Sequence, residues 1–239
     1  MAMALSLIVP CLDEGAIVET ALTALQPLRL DGHELILVDG GSRDGTPRKA
    51  LGLVDRLVVS EPGRARQMNA GAGVATGQVL WFLHLDSVLF PGAAQYLLAS
   101  LSERFGERPW GWGRFDIRLD GHAASLRLVE RMMNLRSRLS GIATGDQGIF
   151  VSRALFEAVG GFPDIPLMED IELSRRLKRH GWPVCLPRPI VASSRRWERE
   201  GVWPTVFLMW GLRLGYFLGV SPDRLARRYR ACSSPAPGS

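Results

Sequence analysis

Acidic side chains follow three apolar segments in the first ninety residues. Asp13 and Glu14 come after the first segment, Asp39 ends the second, and Asp86 closes the third together with His84. Short apolar runs without a helical period are typical of buried parallel strands, whose carboxyl ends form the edge where open α/β sheets bind ligands. The sequence therefore predicts that these side chains line one ligand site.

His84 and Asp86 lie two residues apart, so alternation along a strand places them on the same side. The two could share a divalent cation that bridges two phosphates, because Mg²⁺ and Mn²⁺ prefer oxygen ligands and Mn²⁺ tolerates a nitrogen. The alternative is a core histidine beside a helix-capping acid.

The segment 39–46 (DGGSRDGT) follows a strand and opens a helix. Its glycines permit positive φ and close approach of the backbone to a ligand. Asp39 could accept a hydrogen bond from a base imide or a ribose hydroxyl. The alternative is a tight turn in which Asp44 caps the helix.

Basic residues begin the next predicted helix, in the segment 63–71 (GRARQMNAG). Arg64 and Arg66 could reach a diphosphate, and Asn69 could hydrogen-bond a sugar or a base edge. A solvated helix face explains the same pattern.

Glu169 and Asp170 begin a helix after a loop that contains two prolines. The N-terminus of a helix stabilises a carboxylate as the anion. Such a group could take a proton from an acceptor hydroxyl, or it could simply cap the helix.

Strands alternate with helices in the first hundred residues, which predicts right-handed βαβ units and an α/β fold with a mainly parallel, twisted sheet flanked by helices. Asp13 or Glu14 is expected to cap the first helix. The predicted strands are Leu5–Pro10, His33–Val38, Arg56–Val59, Val79–Leu85, Gly111–Leu119 and Asp146–Val151. The predicted helices are Ala16–Leu28, one from Thr46, Arg64–Val74, one from Pro91 to Glu103, His122–Leu139 and Met168–His180.

Composition is that of a folded, reduced protein. The chain has 239 residues, of which 46% are hydrophobic and 22% charged, and only three cysteines, so a disordered chain, a disulfide scaffold and a coiled coil are excluded. The start lacks a basic signal-peptide region, and a cytoplasmic location is expected. Residues 175–239 carry 13 basic and 3 acidic side chains, but no basic run interleaved with aromatics indicates nucleic-acid binding.

Residues 202–220 are almost all apolar, although Arg213 interrupts them and Pro204 lies near their start. About twenty uninterrupted apolar residues are needed to cross a bilayer, so a transmembrane helix is not expected. Three alternatives remain: an in-plane membrane helix flanked by arginines, a dimerisation helix, or a helix packed on its own domain.

Five motifs occur in order: PCLDE at 10–14, the 39–46 segment, HLD at 84–86, GDQGIF at 145–150 and MED at 168–170. Together they resemble glycosyltransferase family 2, which has the GT-A nucleotide-diphospho-sugar transferase fold. The resemblance covers about residues 5–190. We expect a GT-A domain over 1–190, with a nucleotide-binding half (1–104) and an acceptor half (105–190), then a basic and apolar helical extension (191–230) and a disordered tail (231–239).

The resemblance implies a role for each matched residue. Asp170, with Glu169 beside it, would be the base of an inverting displacement, and Asp86 with His84 would hold Mg²⁺ or Mn²⁺ on the UDP diphosphate. His84 replaces the first aspartate of the family's DxD motif, which leaves the metal requirement open. The residues implied in nucleotide-sugar binding are Pro10, Asp13, Glu14, Asp39, Gly40, Arg64, Gln67, Asn69, Asp86, Asp146, Gln147, Arg196 and Trp197.

Arg196 and Trp197 match the RW of the QxxRW motif found in processive members of the family. Ser193 replaces the glutamine, which argues against processive polymer synthesis. The HLD, GDQGIF and SRRWER motifs resemble more closely the arsenosugar-type and selenium-associated sub-branch, which includes selenosugar synthases.

That sub-branch implies transfer of a hexose or N-acetylhexosamine from a UDP-sugar to a nucleophilic acceptor. Selenophosphate would give a selenosugar with a C–Se bond, and the arginine-rich segment 195–199 could supply its cationic pocket. The alternatives are O-glycosyl transfer to a small-molecule or polyprenyl phosphate acceptor at the inner membrane, and a non-catalytic nucleotide-binding or membrane scaffold. The expected partners are the UDP-sugar, an anionic or hydroxyl acceptor, and a membrane surface or second copy at 202–220.

Overall fold

The computed structural model describes residues 3–106 and 110–233. A sheet of seven strands lies at its centre, in the spatial order β3-β2-β1-β4-β6-β5-β7. The strands are β1 (Leu5–Cys11), β2 (Glu34–Asp39), β3 (Arg56–Val59), β4 (Val79–Phe82), β5 (Trp112–Leu119), β6 (Phe150–Ser152) and β7 (Val184–Ala192).

The strands β1 to β4 pair in parallel, as the βαβ pattern predicts. The short strand β6 runs antiparallel to both of its neighbours, β4 and β5, and β7 returns parallel to β5. The mainly parallel sheet is thereby confirmed, with an antiparallel strand at the junction of the two halves.

Helices cover both faces of the sheet. They are α1 (Val18–Ala24), α2 (Gln26–Leu30), α3 (Thr46–Ala50), α4 (Arg64–Val74), α5 (Ala93–Phe105), α6 (Ala124–Ser140), α7 (Arg153–Ala158), α8 (Glu169–Leu177), α9 (Arg195–Glu200), α10 (Val202–Phe217) and α11 (Pro222–Ser233).

The core forms two layers because side chains alternate along each strand. In β1, Leu5, Leu7 and Val9 pack toward α1 and α5, while Ile8 packs on the other face with residues of α4, α7 and α8. Every residue of β1 except the half-buried Pro10 is buried, which is the pattern of a strand covered on both sides.

The first predicted helix is wrong in two respects. The segment 16–28 divides into α1 and α2, and Pro27 lies in the first turn of α2, where its missing N–H costs nothing. Neither Asp13 nor Glu14 caps α1, because Ile17 occupies the N-cap position without a side-chain hydrogen bond.

The predicted strand Asp146–Val151 is also wrong in its first half. Residues Gly145–Gln147 form a single 3₁₀ turn, closed by reciprocal hydrogen bonds between Thr144 and Gln147. Gly148 then takes a positive φ of 58°, and the strand begins only at Phe150.

The edge strand β7 and helix α7 were not predicted. Pro187 and Pro189 interrupt β7, and its register with β5 shifts between Phe115 and Ile117. Proline lacks the N–H that a central strand needs, so it is tolerated only at an edge or a bulge. The predicted boundary between the GT-A domain (1–190) and the extension (191–230) therefore falls inside strand β7.

Helix α10 packs on its own domain through one face, where Leu212 joins Ile142, Met168 and Ile171. The opposite face is exposed. No helix among the described residues is both long and apolar enough to cross a membrane. Helix α11 reaches Ser233, three residues into the segment predicted as a disordered tail, and residues 234–239 lie outside the described part.

Candidate active site

The acidic residues that follow β1, β2 and β4 meet at one edge of the sheet. Cys11 at the end of β1 pairs with Asp39 at the end of β2, and β4 adjoins β1 on its other side. The strand β4 ends at Phe82, three residues earlier than predicted, so His84 and Asp86 lie in the turn that follows it and not on one side of a strand. The parallel strands therefore bring these side chains to a common rim, as the pattern of strand ends suggests.

Asp39 is buried and shapes the loop that follows it. One carboxylate oxygen accepts hydrogen bonds from the backbone N–H groups of Gly41 and Ser42, both at 2.9 Å, and the other accepts from the Ser42 hydroxyl. The Cys11 thiol lies 3.7 Å from it, and burial together with the Asp39 charge raises the pKa of that thiol to about 12. Both oxygens are engaged within the protein.

Asp13, two residues after the end of β1, stabilises the same loop through hydrogen bonds. It takes a positive φ of 53°, its N–H donates to the Ser42 hydroxyl at 2.8 Å, and its carboxylate accepts from the Arg43 N–H at 2.8 Å. Burial and the nearby Asp86 charge raise the pKa of Glu14. Glu14 and Asp86 thus lie close enough to repel one another.

Gln67 and Asn69 in α4 also hold the backbone around the site through hydrogen bonds of their side-chain amides. The buried Gln67 amide donates to the carbonyls of Cys11 at 2.8 Å and Val38 at 2.9 Å, and Gly40 leaves only enough room for it. Asn69 exchanges two hydrogen bonds with the backbone of Phe162, at 2.8 and 2.9 Å. These residues tie α4 to the strand ends and to the loop before α8.

His84 pairs with Asp146 across the junction of the two halves. Its Nδ1 lies 3.1 Å from the Asp146 carboxylate. Burial opposes ionisation of Asp146, yet His84 and two arginine charges lower its pKa to about 2. The other ring nitrogen, Nε2, faces Gly145, where an added Cβ would approach it to 2.6 Å.

A divalent cation fits this edge through Asp86 rather than through an all-protein cage. No group of three potential metal ligands occurs among the described residues. Magnesium is commonly held by one or two carboxylates together with substrate phosphates, and Asp86 accepts no hydrogen bond from the described residues. His84 suits a ligand role poorly, because both of its nitrogens are turned toward protein atoms.

The helix α8 presents its two carboxylates differently. Asp170 is half-buried and accepts hydrogen bonds from the N–H groups of Gly145 at 3.1 Å and Ile171 at 2.7 Å. Glu169 is buried, and this burial together with the Asp170 charge raises its pKa to about 7. Since Gly145 adjoins Asp146, the Asp170 carboxylate is linked to the His84 pair.

Three arginines approach Asp170, and only one of them was predicted. Arg64 is exposed at the start of α4, and the charges of Glu169, Asp146 and Asp170 raise its pKa. Arg136 of α6 and Arg213 of α10 were missed. A signal was present in the sequence, because Arg213 interrupts an apolar helix and a lone charge there indicates an inward position.

The remaining predicted site residues lie in supporting positions. Arg196 stacks on the Tyr229 ring at 4.2 Å and pairs with Glu200 at 2.9 Å, and Trp197 packs against the apolar cluster around Ile117. Pro10 is half-buried in β1, and Gln147 is fully buried in the 3₁₀ turn. Two cavities of about 300 and 360 Å³ lie elsewhere, beside β5, β7 and α6.

Solved structures of sugar-nucleotide enzymes have the same architecture. A mannosyltransferase from Pyrobaculum calidifontis, in complex with GDP-Man and Mn²⁺, is 20% identical with a TM-score of 0.62, over 97% of this chain and 70% of the other. Glucosyl-3-phosphoglycerate synthase from Mycobacterium tuberculosis, with Mn²⁺ and UDP-glucose, is 20% identical with a TM-score of 0.58, over 80% and 70%.

The fold is GT-A. The sequence of the first half agrees with this assignment, because residues 6–109 match the model of Glycosyl transferase family 2. A PGL/p-HBAD biosynthesis glycosyltransferase of Mycobacterium bovis is 35% identical over 92 residues, which is 36% of each chain. The chain spans about a third of the length of the curated relatives it matches. The GT-A edge described above thus coincides with the segment that carries the family resemblance.

Proposed function

We propose that this chain is an inverting glycosyltransferase that moves a hexose or N-acetylhexosamine from a UDP-sugar to a nucleophilic acceptor. The observation that carries the proposal is the chain of contacts joining the nucleotide half to the acceptor half: His84 to Asp146, and Gly145 to Asp170. The GT-A fold and the family match at residues 6–109 support the same reaction class. We propose selenophosphate as the acceptor, from the resemblance of the HLD, GDQGIF and SRRWER motifs.

On the donor side, Asp86 and Glu14 would hold Mg²⁺ or Mn²⁺ against the diphosphate. The metal supplies positive charge that neutralises the departing phosphates. Arg64 adds a second cation at the start of α4, close to Asp146 and Asp170. Asp39 and Asp13 keep the loop 39–46 in place, so that its backbone can lie beside the nucleoside.

On the acceptor side, Asp170 lies in the first turn of α8, from where its carboxylate would act beside the anomeric carbon. A hydroxyl nucleophile is weak and needs a base, which the oriented Asp170 carboxylate provides. Selenophosphate is already an anion, and its selenium lone pair forms the C–Se bond as the bond between the anomeric carbon and the diphosphate oxygen breaks. The electron pair of the broken carbon–oxygen bond leaves with UDP. Because the acceptor attacks from the opposite face, an α-linked donor gives a β-linked product.

Mass spectrometry of the products from a panel of UDP-sugars tests this proposal. Selenophosphate and a polyprenyl phosphate are supplied as competing acceptors, and GDP-mannose is included because the mannosyltransferase relative was solved with it. We expect one sugar adduct of selenophosphate, together with UDP. If no UDP is released from any donor with any acceptor, the proposed activity is wrong.

The second candidate is O-glycosyl transfer to a polyprenyl phosphate at a membrane, and the surface of α10 favours it. Apolar side chains recur along one exposed face of this helix, opposite the buried Leu212, with exposed fractions between 52% and 75%: Trp203, Phe207, Trp210, Leu214, Phe217 and Leu218. Helix α11, which packs on α10, carries exposed arginines, including Arg224, Arg227 and Arg228. Apolar faces with basic flanks bind anionic bilayers in the plane of the interface.

Sedimentation with vesicles tests the membrane proposal. We expect the wild type to pellet with vesicles rich in phosphatidylglycerol, and Trp210→Ser with Phe207→Ser to reduce this strongly, whereas Thr20→Ser, at an exposed position of α1, should have no effect. A wild type that stays in the supernatant and forms dimers in analytical ultracentrifugation would instead indicate a second copy of the chain on α10. Vesicle binding without UDP binding would indicate a scaffold.

A further inference from the structure

Two half-buried arginines near Asp170 have side chains without a protein partner. The guanidinium groups of Arg136 in α6 and Arg213 in α10 make no hydrogen bond or ion pair within residues 3–106 and 110–233. The Nε and Nη2 atoms of Arg136 are shielded from solvent without any acceptor. Buried cations without a partner are costly, so such a pair indicates a counter-ion that the protein itself does not supply.

The charges around this pair do not neutralise it. Burial and the charge of the neighbouring Arg213 together lower the pKa of Arg136 to about 9, and burial also lowers the pKa of Arg213. Asp170 opposes both effects, but it lies beyond ion-pair distance of either guanidinium, since no salt bridge joins them. Asp170 thus lies near both cations, and Asp146 lies near Arg213.

The other acidic groups of the region, Asp146 and Glu169, offset the charge of the pair only in part. Asp146 is paired with His84. Glu169 has a raised pKa, because it is buried beside Asp170, and it carries a proton for much of the time near neutral pH. The space around Arg136 and Arg213 is thus electropositive, although two acidic residues stand close by.

The position of the pair separates it from the donor phosphates. Arg64, the cation proposed for the donor, begins α4 in the nucleotide half, whereas Arg136 lies in α6 and Arg213 in α10. Both arginines come from elements after residue 105, and α10 reaches the site by packing Leu212 on Met168 and Ile171. The pair therefore lies on the acceptor side.

We propose that Arg136 and Arg213 bind the phosphate-type oxyanion of the acceptor and position its nucleophilic atom near Asp170. This inference rests on the proposed transferase function and names the chemistry of its second substrate. Guanidinium groups match the oxygens of a tetrahedral oxyanion with paired, charge-assisted hydrogen bonds. The anion has two possible sources, a free selenophosphate or the phosphate of a lipid, and the test must distinguish them.

The test compares Arg213→Gln and Arg213→Lys with the wild type, and uses Arg131→Gln as a control, since Arg131 is an exposed residue of α6. Binding of inorganic phosphate to the UDP-saturated protein is measured by calorimetry, and the KM of each acceptor is measured in turnover. We expect phosphate affinity and acceptor KM to worsen roughly 10- to 100-fold in Arg213→Gln, and less in Arg213→Lys. The control should match the wild type.

UDP affinity is the internal reference for each variant. It should stay within about twofold of the wild type, because the pair lies away from Asp86. A parallel loss of UDP affinity would overturn the inference and assign the arginines to the donor. An unchanged acceptor KM in Arg213→Gln and in the further variant Arg136→Gln would overturn it as well. A wild type that does not bind UDP contradicts the proposed function itself.

The two acceptor arms identify the source of the anion. If selenophosphate turnover depends on Arg213, the site takes a free oxyanion. If only turnover of a polyprenyl phosphate in vesicles depends on it, the site takes a lipid phosphate. Dependence in neither arm contradicts an acceptor role for the pair.

Discussion

The carboxylate of Asp170 is held by two backbone N–H groups, those of Gly145 and Ile171, and both belong to the acceptor half. Asp170→Asn preserves its size but removes its charge and basicity. With a hydroxyl acceptor we expect kcat to fall about 10²- to 10⁴-fold, because the base is lost. With selenophosphate the fall should be much smaller, since the nucleophile is already an anion.

Steady-state kinetics with both acceptors check this prediction. Asp164→Asn is a suitable control, because Asp164 is an exposed residue that pairs with Arg66 outside the site. Equal losses with both acceptors would mean that Asp170 acts on the donor rather than on the acceptor proton.

The protonation of Glu169 links stability to pH. Its pKa is raised to about 7 by burial and by Asp170, so the folded state holds a proton that the unfolded state releases near pH 4.5. The stabilisation is therefore complete below about pH 4.5 and is lost as the pH rises through about 7. Glu169→Gln keeps the shape of the buried side chain but does not titrate. Between pH 5 and 8, the wild type should therefore lose about 2–3 kcal/mol more of its free energy of unfolding than the variant loses.

Urea unfolding of both proteins at several pH values measures this difference. Other titrating groups affect wild type and variant alike, so the difference isolates Glu169. Parallel stability curves would show that Glu169 ionises normally in the folded protein.

Single residues also show where sequence reasoning reached its limit. Asp39, Gln67 and Asn69 have the residue types of nucleotide ligands, and they do lie at the predicted edge. Their polar atoms are nevertheless bonded to the loops around the site. A sequence shows that a polar group is present, but its partners are settled by the three-dimensional arrangement.

Helix α4, which carries Arg64, Gln67 and Asn69, lies very close to the sheet. Gly71 makes this possible, because a Cβ there would come within 2.5 Å of Ile8 and 2.9 Å of Val38. Gly71→Ala should therefore destabilise the fold by about 1–3 kcal/mol through overpacking. Gly73→Ala, two residues along the same helix, meets nothing within 4 Å and should be neutral or stabilising by about 0.5–1 kcal/mol.

Thermal or urea unfolding of both variants checks the packing of α4. The paired design removes the effect of helix propensity, which is the same at both positions. A Gly71→Ala variant as stable as Gly73→Ala would show that α4 lies further from the sheet than the structure indicates.

Some strands and helices could be predicted from the sequence, and others could not. The strands β1, β2 and β3 and helix α4 follow the predicted positions closely, because short apolar runs and polar turns mark them in the sequence. The edge strand β7 was missed because its prolines are atypical of strands, and α10 left three alternatives open because an apolar face does not identify what covers it.

At the scale of the whole molecule, the GT-A fold could be predicted because its motifs occur in order along the chain and the βαβ rule places strand ends at one edge. The C-terminal helices could not be placed in the same way. Their packing depends on contacts between distant apolar residues, such as Leu212 with Ile171, and only these contacts bring Arg213 toward Asp170.

Calorimetric binding of UDP to the purified protein, with and without Mn²⁺, for the wild type and Asp86→Asn tests the proposed donor site most directly. We expect a single UDP site whose affinity falls roughly tenfold or more when the metal is chelated or the Asp86 carboxylate is removed. Absence of UDP binding at millimolar concentration, with Mn²⁺ present and the protein folded, would contradict the proposal.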